Sequence, residues 1–447
     1  MNGSIDEHEK NRKPPEQNQL DAEAHSGARS RTPLNRRQIV GFWGAWAGLT
    51  LDGMDSVIFA LVLIPALTEL LPISGYAATP ANLGLAGSIL FALLLIGWGS
   101  AFFWGQLADR FGRANVLAAN VLMFGIFTGL SATSSTVWEL GIYRFVAGLG
   151  IGGEWSLSGT YVAESWPEDR RKMGAGFLHT GFYMGFFLAA AFNYTIGAHF
   201  GWRAMFLVGA LPVVVAVVIR LWLAESEKWQ KVAPAATGRL KEIFGPQYLR
   251  RTLVAATAVT VSIVGLWAGA TYAPTAVIQL ATKAGMASTE ATKLASLATG
   301  LLSFGTILGC LAVPLIAERI GRRATLAVFF VGMAVSIALT FGYAFYVPDG
   351  LDMFFGLLFM LGFFGANFSV HTLWLPEQFE TRVRATAFAF CSSFGRYIGA
   401  AVNFGLGAMV ANMGTLGVPV ALTAIAFLLG LLIIPMAPET RGKVLPS

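Results

Sequence analysis

The chain has 447 residues, of which 55% are hydrophobic and only 13% are charged, and its mean hydropathy is +0.62. So little charge excludes an ordinary soluble protein of this length, which needs more charged side chains to cover its surface. The net charge of +6 does not indicate nucleic-acid binding, because the positive residues follow the loop pattern described below.

The chain begins with a polar segment and continues as a series of long apolar runs. Residues 1–37 have no apolar run and no signal peptide, which predicts a disordered tail. The runs that follow are each long enough for a transmembrane helix. They lie at 39–67, 83–107, 114–132, 137–162, 172–198, 201–224, 251–280, 293–317, 324–346, 351–375, 385–411 and 415–436. An all-α membrane protein with twelve transmembrane helices is therefore expected.

The longest internal polar stretch, residues 225–250, divides the runs into two sets of six. This predicts an N-terminal bundle at 38–224, a cytoplasmic linker at 225–250, a C-terminal bundle at 251–436 and a tail at 437–447. The two cysteines, Cys310 and Cys391, both fall inside apolar runs, so neither a disulfide nor a zinc site is expected. We expect no cofactor and no metal.

The distribution of Lys and Arg predicts the orientation, because these residues are retained on the cytoplasmic side of short loops. The two tails and the loops after the even-numbered runs contain 25 of the 31 Lys and Arg residues. The opposite loops contain only three: Arg203, Lys283 and Lys293. Both termini are therefore expected in the cytoplasm, with the chain in the plasma membrane, taken as a bacterial inner membrane.

Two loops are repeated, which indicates an internal duplication. GQLADRFGRANVL at 105–117 returns as PLIAERIGRRATL at 314–326, an offset of 318 − 109 = 209. AESWPEDRRKMGAGF and PEQFETRVRATAFAF match at an offset of 213, which aligns Glu164 with Glu377 and Arg171 with Arg384. Duplicated halves with a site at their interface are typical of secondary transporters.

These motifs resemble those of the major facilitator superfamily over residues 38–443. GQLADRFGR is similar to the family's loop 2-3 signature, RFVAGLGIGG to its helix-4 signature, and APETRGK to the tail signature of its sugar and organic-acid members. RFVAGLGIGGEW, GWRAMFL, LAESEKW and SSFGRYIG further resemble the proton symporters of organic acids, including the aromatic-acid, sialate, nicotinate and monocarboxylate groups. The resemblance implies transport by alternating access, and no enzymatic activity.

Charged residues inside the apolar runs carry the predicted mechanism, since a charge at the bilayer centre is costly and normally pairs or lines a wet cavity. Asp52 and Asp55 are three residues apart and share a helix face. Helical rise places Asp55 and Arg144 at similar depth, which predicts an ion pair. By resemblance, proton coupling would fall on Asp52 or Asp55 with Arg144. A static pair that only joins two helices is the alternative.

Glu154 follows a glycine run at 148–153 that would let neighbouring helices approach closely. Ser158 lies one turn further on the same face and could hydrogen-bond it. We expect Glu154 to be a second proton site or a contact to a substrate hydroxyl. The alternative is a protonated Glu with a structural role.

Arg396 predicts the substrate class, because its planar guanidinium matches a carboxylate. It lies on a small, polar stripe with Ser392, Gly399 and Asn403. The C-terminal half offers no acid at mid-membrane depth, so the countercharge is expected from the N-terminal half or from the substrate. Pairing with an acid not evident in the sequence is the alternative.

Other polar residues at helical spacing are candidate substrate contacts. His179 aligns with Tyr183, and His371 aligns with Asn367. Either histidine could instead be a neutral structural group. Several aromatic residues could wall the pocket, although most aromatics of such a chain face lipid or the core: Trp155, Trp267, Tyr272, Phe394 and Tyr397.

Eight charged residues of the repeated loops are predicted to form gates. Asp109 and Arg113 would bridge neighbouring helix ends, as would their duplicates Glu318 and Arg322, while the remaining four would pair across the two halves: Glu164, Arg171, Glu377 and Arg384. At a wet surface each pair would contribute well under about 1 kcal/mol alone. The alternative is that these charges only fix the topology.

The sequence thus predicts a monomeric proton symporter that imports a small organic anion through the lipid bilayer. A proton-coupled exporter of cations or drugs would use the same acids, but Arg396 would repel its cargo. A neutral-sugar carrier is closer, and would be favoured if Arg396 paired within its own bundle.

Overall fold

The computed structural model describes residues 32–214, 240–413 and 415–446, and the described chain is helical throughout, without strands. The first helix begins after Asn35, which caps it. The Asn35 side chain accepts a hydrogen bond from the backbone N–H of Gln38, and the Gln38 side chain accepts one from the backbone N–H of Asn35. Most of the predicted tail, residues 1–31, lies outside the described residues.

The N-terminal bundle follows the predicted order of apolar runs. Its helices are α1 (Arg36–Ile73), α2 (Pro80–Ser100 with Phe103–Phe111), α3 (Arg113–Ser131), α4 (Val137–Ser165), α5 (Arg171–Phe192) and α6 (Ala198–Val208). The sixth predicted run, 201–224, is described only as far as residue 214. Within α6 the backbone of Gly201 is not helical, since its φ is 78° and favours glycine.

The C-terminal bundle has the same order after a short 3-10 turn, Leu240–Phe244. Its helices are α7 (Leu249–Lys283), α8 (Ser288–Ile320), α9 (Arg322–Ile337), α10 (Leu351–Gly365 with Asn367–Trp374), α11 (Arg384–Met413) and α12 (Gly417–Leu422 with Ala424–Ile433). Single π turns extend α5 over Asn193–Gly197 and α9 over Ala338–Tyr343. The predicted fold class is confirmed.

Eight of the described helical stretches are long and apolar enough to cross a membrane. Helices α4, α6, α7 and α11, as far as they are described, are outside that set. Buried charges lie both inside the set, at Asp52 and Asp55 of α1, and outside it, at Arg144, Glu154 and Arg396.

The two bundles repeat the same packing and meet most extensively through two helix pairs. Within the bundles α1 packs on α5 as α7 packs on α11, and α2 packs on α4 as α8 packs on α10. Between the bundles α2 contacts α11 and α5 contacts α8. A Cβ at Gly105 would lie 2.5 Å from the Ala385 carbonyl oxygen, so glycine permits the close approach of α2 to α11.

The glycine run of α4 lets two helices pack against it, as predicted. A Cβ at Gly150 would lie 2.7 Å from the Phe124 backbone nitrogen of α3, and one at Gly148 would lie 3.0 Å from the Trp98 backbone nitrogen of α2. This tight packing fixes the position of α4 against α2 and α3, and so the depth in the bundle at which the Glu154 and Trp155 side chains project from α4.

Candidate functional site

A small closed cavity lies between the two bundles, with a volume of about 20 Å³, or little more than one water molecule. Three helices, α1, α5 and α11, contribute its four polar side chains, and five aromatic or aliphatic side chains complete the wall. The lining residues are Leu49, Asp52, Trp98, Trp155, His179, Phe182, Tyr183, Phe368 and Arg396. A substrate larger than water requires the bundles to part.

The N-terminal bundle supplies polar atoms without partners. Five polar side-chain atoms have no hydrogen-bond partner among the described residues. They are both Asp52 carboxylate oxygens, both His179 ring nitrogens and the Tyr183 hydroxyl oxygen. All three side chains are almost fully buried. Buried polar groups are nearly always satisfied, so such a cluster indicates that a ligand, water or a proton completes it.

The C-terminal bundle supplies Arg396, which is 3% exposed. Its guanidinium donates to the backbone carbonyl oxygen of Ser392 and lies 4.2 Å from the centre of the Trp98 ring of the other bundle. Asp52 of the other bundle lines the same cavity. That the countercharge of Arg396 comes from the N-terminal half stays a prediction.

Asp55 points away from the cavity although it shares a helix face with Asp52. Arg144 donates to both Asp55 carboxylate oxygens, at 3.1 and 3.2 Å, and to the Thr128 hydroxyl at 2.5 Å. The Thr128 hydroxyl in turn donates to Asp55 at 2.8 Å. The predicted Asp55–Arg144 ion pair is confirmed, and all three residues are fully buried within the N-terminal bundle.

Glu154 is fully buried beside α1. The Ser158 hydroxyl donates to one carboxylate oxygen at 2.8 Å, as the sequence suggested, and the other oxygen has no partner among the described residues. The carboxylate contacts Gly48, where a Cβ would leave it no room. Glu154 is therefore a further buried acid of the N-terminal bundle, outside the cavity wall and without a cationic partner in the described chain.

Four predicted substrate contacts lie outside the cavity in this conformation. Asn367 donates to the Phe364 carbonyl, His371 bonds the Ser262 hydroxyl through Nε2 at 2.9 Å, and the Ser392 hydroxyl donates to the Ala389 carbonyl. Asn403 lines a separate cleft on the side away from the termini. Their substrate-binding role stays a prediction.

Of the predicted pocket aromatics, only Trp155 reaches the cavity. Tyr272 lines the outer cleft with Asn403, while Phe394 and Tyr397 are partly exposed. The side chain of Trp267 lies outside what the structure describes. Sequence reasoning missed four wall residues: Leu49, Trp98, Phe182 and Phe368. The one signal available was the pair of glycines flanking Trp98, which marks close helix packing.

The side of the protein that carries the termini is closed by two ion-pair clusters, which we name gate 1 and gate 2. Gate 1 comprises Asp109, Arg113, Glu164 and Arg384; gate 2 comprises Glu318, Arg322, Glu377 and Arg171. In gate 1, Glu164 accepts from Arg113 at 3.2 Å and from Arg384 of the other bundle at 2.8 Å. In gate 2, Glu377 accepts from Arg322 at 3.0 Å and from Arg171 of the other bundle at 3.0 Å.

The expectation that these pairs lie at a wet surface is wrong for seven of the eight residues, and only Glu318 of the eight, at 44% exposure, agrees with it. The side chains of Arg113, Arg171, Arg322 and Arg384 are at most 2% exposed. The reason is the tight contact between α2 and α11 and between α5 and α8, which excludes water from the guanidinium groups. Removing one partner from such a buried pair leaves an uncompensated charge and costs much more than at a surface.

The predicted tail 437–447 packs onto gate 2 over its described part. The Thr440 hydroxyl donates to Glu377 at 2.5 Å, and the Glu439 carboxylate accepts the backbone N–H groups of Arg322 and Arg323 at 3.0 and 3.1 Å. Burial alone would raise the pKa of Glu439, but these backbone donors at the start of α9 hold that pKa below its usual value. The tail therefore caps α9 with a carboxylate.

The opposite side of the protein is more open. One cleft of about 280 Å³ lies between α1, α2, α7 and α11, and another of about 130 Å³ is lined by residues of α1, α2, α5, α7 and α8. Together with the closed gates, these clefts describe a conformation that is shut on the side of the termini.

Comparison with known proteins agrees with this architecture. Residues 45–309 match the model of the Major Facilitator Superfamily, and residues 233–446 match that of the sugar (and other) transporters. The chain is 28% identical to a probable 4-methylmuconolactone transporter of Cupriavidus pinatubonensis, over 90% of each chain. It is also 28% identical to the cis,cis-muconate transport protein of Acinetobacter baylyi, over 85% of this chain and 89% of that protein.

Among solved structures, the proton:xylose symporter XylE bound to 6-bromo-6-deoxy-D-glucose superposes with a TM-score of 0.73. The two are 20% identical, over 92% of this chain and 98% of that chain. This likeness concerns the fold alone. The family model spans more than half of the chain, and the predicted resemblance is confirmed. The chain belongs to the Major Facilitator Superfamily and is a multi-pass membrane transporter, not an enzyme.

Proposed function

We propose that this transporter imports a small organic anion together with protons, by alternating access around the cavity between its bundles. The observation that carries the proposal is the position of an acidic and a basic side chain, from different bundles, in the wall of one cavity. Asp52 enters it from the N-terminal bundle and Arg396 from the C-terminal bundle, beside polar atoms that have no partner in the described chain.

Arg396 would bind the carboxylate. Its planar fork of donors matches two carboxylate oxygens, and a buried guanidinium favours an anion over a neutral or cationic cargo. His179 and Tyr183 would hydrogen-bond further oxygen atoms of the substrate. The names of two relatives support this class, since muconate is an organic dicarboxylate.

The proton sites would be the acids of the N-terminal bundle. Asp55 is held by Arg144 in this conformation, and a carboxylate that loses its guanidinium partner takes up a proton more readily. Asp52 and Glu154 offer carboxylate oxygens without a hydrogen-bond partner among the described residues. One proton per monocarboxylate would make transport electroneutral, so that a pH gradient alone would drive it.

The topology fits import. We place both termini in the cytoplasm of a bacterial cell, on the basis of the Lys and Arg distribution. Gates 1 and 2 would then close the cytoplasmic side of a monomer whose bundles, at 38–224 and 251–436, rock about the cavity, with 225–250 as the linker between them.

A neutral-sugar carrier is the second candidate, because the second half of the chain matches the model of the sugar (and other) transporters. Arg396 is the argument against it. Its contacts within its own bundle are to a backbone carbonyl, and the acid that lines the cavity with it comes from the other bundle. A drug or cation exporter would meet the same positive charge.

Counterflow in proteoliposomes tests the proposal. Vesicles that contain the purified protein would be offered labelled carboxylates, including aromatic, hydroxy and dicarboxylic acids, and labelled xylose, with and without an inward pH gradient. We expect counterflow of at least one carboxylate in vesicles preloaded with it, and net accumulation in vesicles without internal substrate only with the gradient. Counterflow of xylose but of no acid would overturn the proposal in favour of the sugar carrier, and net accumulation in substrate-free vesicles without the gradient would exclude proton symport.

A further inference from the structure

Among the cavity-lining residues of the described chain, Trp155 is the one that makes a side-chain hydrogen bond between the bundles. It leaves α4 beside Glu154 and is 4% exposed. Its indole Nε1 donates to the Thr372 hydroxyl of α10 at 2.7 Å, and Thr372 is 1% exposed. A buried hydrogen bond of this length, from one bundle to the other, must break whenever α4 and α10 separate.

The surroundings of Trp155 belong mainly to the other bundle. Its ring centre lies 5.4 Å from that of Phe368 and 5.2 Å from that of Phe388. One turn further along α4, a Cβ at Gly159 would lie 2.6 Å from the Phe388 ring. The N-terminal bundle thus inserts an indole into an aromatic pocket of the C-terminal bundle, and Gly159 permits the close approach.

This contact lies between the cavity and the gates. Trp155 lines the cavity, and Glu164 of gate 1 follows it nine residues later, about 13 Å along the same helix. On the other bundle, Thr372 precedes Glu377 of gate 2 by five residues. A solute that passes from the cavity toward the side of the termini therefore has to pass the α4–α10 contact before it reaches the ion pairs.

We propose that Trp155 is an inner gate and the floor of the substrate cavity, and that its hydrogen bond to Thr372 breaks and reforms in each transport cycle. The inference rests on alternating access as proposed above, but not on the identity of the substrate. Trp155 is a positioning residue: it closes the cavity against the bundle that carries Arg396.

The chemistry of Thr372 suits a bond that opens repeatedly. Its hydroxyl also donates to the Phe368 carbonyl at 3.1 Å, so Thr372 keeps a partner when the bundles part. Only the indole N–H then loses its acceptor, and water entering the opened path can replace it. Such a bond favours the closed conformation only moderately: it changes the ratio of open to closed protein by roughly two- to tenfold.

The test measures that ratio directly. Spin labels would be placed on the full-length protein at Asn115→Cys and Ala324→Cys, which are exposed at equivalent positions of α3 and α9, while native Cys310 and Cys391 are buried. Pulsed electron double resonance in lipid nanodiscs, without substrate, gives the distance distribution. We expect Trp155→Phe and Thr372→Val each to increase the long-distance population. The double variant should show no larger increase than either single variant, because both substitutions remove the same hydrogen bond.

Two matched variants separate this bond from general loss of packing. Trp104→Phe removes an indole hydrogen bond of the same 2.7 Å length, to the Leu149 carbonyl, within the N-terminal bundle. Thr306→Val removes a threonine hydrogen bond to the preceding turn of its own helix. Neither should change the distribution.

A wild-type distribution in both Trp155→Phe and Thr372→Val, or an equal shift in Trp104→Phe, would overturn the inner gate. Failure of every carboxylate in the counterflow assay would leave this measurement unaffected, so the two proposals fail separately.

Discussion

The gates and the cavity are built on opposite principles, although the same ancestral duplication produced both. At an offset of 213, Glu164 of gate 1 corresponds to Glu377 of gate 2, and Arg384 corresponds to Arg171. Each of these charges has an opposite partner across the bundles. Charge in the gates is thus duplicated and fully paired.

Cavity residues have lost this symmetry. At the same offset Arg396 corresponds to Tyr183, Glu154 to Asn367 and Ser392 to His179. The N-terminal bundle keeps the acids, and the C-terminal bundle keeps the guanidinium. Where the gates satisfy their own charges, the cavity leaves polar atoms without partners in the described chain. The duplicated gates are suited to opening and closing, and the asymmetric cavity is suited to a ligand that supplies hydrogen-bond partners to these polar atoms.

The largest effect is expected at the residue where the asymmetry is strongest. Arg396→Ala should lower carboxylate uptake at least about a hundredfold, because a bidentate, desolvated contact to the anion is lost. Arg396→Lys should retain part of the activity, since the charge remains but the planar fork does not. The measurement is uptake into proteoliposomes of an acid that shows counterflow in the wild type.

Tyr183→Phe, at the duplicated position, gives the matched comparison and should reduce uptake far less than Arg396→Ala. Size-exclusion profiles would establish that each variant is folded and inserted. Normal uptake by folded Arg396→Ala would contradict the carboxylate anchor.

A second effect separates the paired acid from the unpaired one. Asp55→Asn leaves Arg144 buried opposite a neutral group, and should lower the free energy of unfolding by roughly 3–5 kcal/mol. Asp52→Asn removes a carboxylate that has no hydrogen-bond partner in the described chain, so its cost in stability should be smaller than that of Asp55→Asn. Thermal unfolding of the two variants in one detergent makes the comparison.

The two aspartates lie three residues apart on α1, and the substitution is the same at both positions. The two variants are therefore matched in exposure to lipid and in helix propensity. Equal destabilisation by the two substitutions would show that Asp55 and Arg144 are not a net stabilising pair.

The smallest effect concerns a difference inside the duplicated gates. Asp109 is 1% exposed, and it accepts the Thr386 backbone N–H of α11 at 2.9 Å across the bundles. Its duplicate Glu318 is 44% exposed and pairs with Lys172 at 2.7 Å. We expect Asp109→Asn to destabilise the closed gate by about 1–3 kcal/mol and Glu318→Gln by less than about 1 kcal/mol.

The Asn115 and Ala324 label pair reports that difference as the fraction of protein open on the side of the termini. A larger opening in Glu318→Gln than in Asp109→Asn would show that burial does not set the strength of the gates.

Much of the fold was predictable because lipid imposes a simple rule: a span must be long, apolar and helical. The order of the described helices and the eight residues of the ion-pair clusters come from hydropathy, charge and repetition, while the boundary at 225–250 stays a prediction, since most of it lies outside the described residues. The Asp55–Arg144 pair was predictable too, because helical rise gives depth. Asp52 and Asp55 show what the sequence could not predict. Their shared helix face did not reveal that the Asp52 carboxylate enters the cavity while the Asp55 carboxylate points into the N-terminal bundle.

The sequence alone determined the membrane fold, the duplication and the types of charge placed in the spans, since each depends on composition or on spacing along one chain. Only the tertiary structure decided which side chains meet. It buried the gate arginines by bringing α2 against α11 and α5 against α8, put Trp98 against Arg396, and joined Trp155 to Thr372 across 217 residues. Such contacts depend on helix rotation and on packing between bundles, which no periodicity within a single helix encodes.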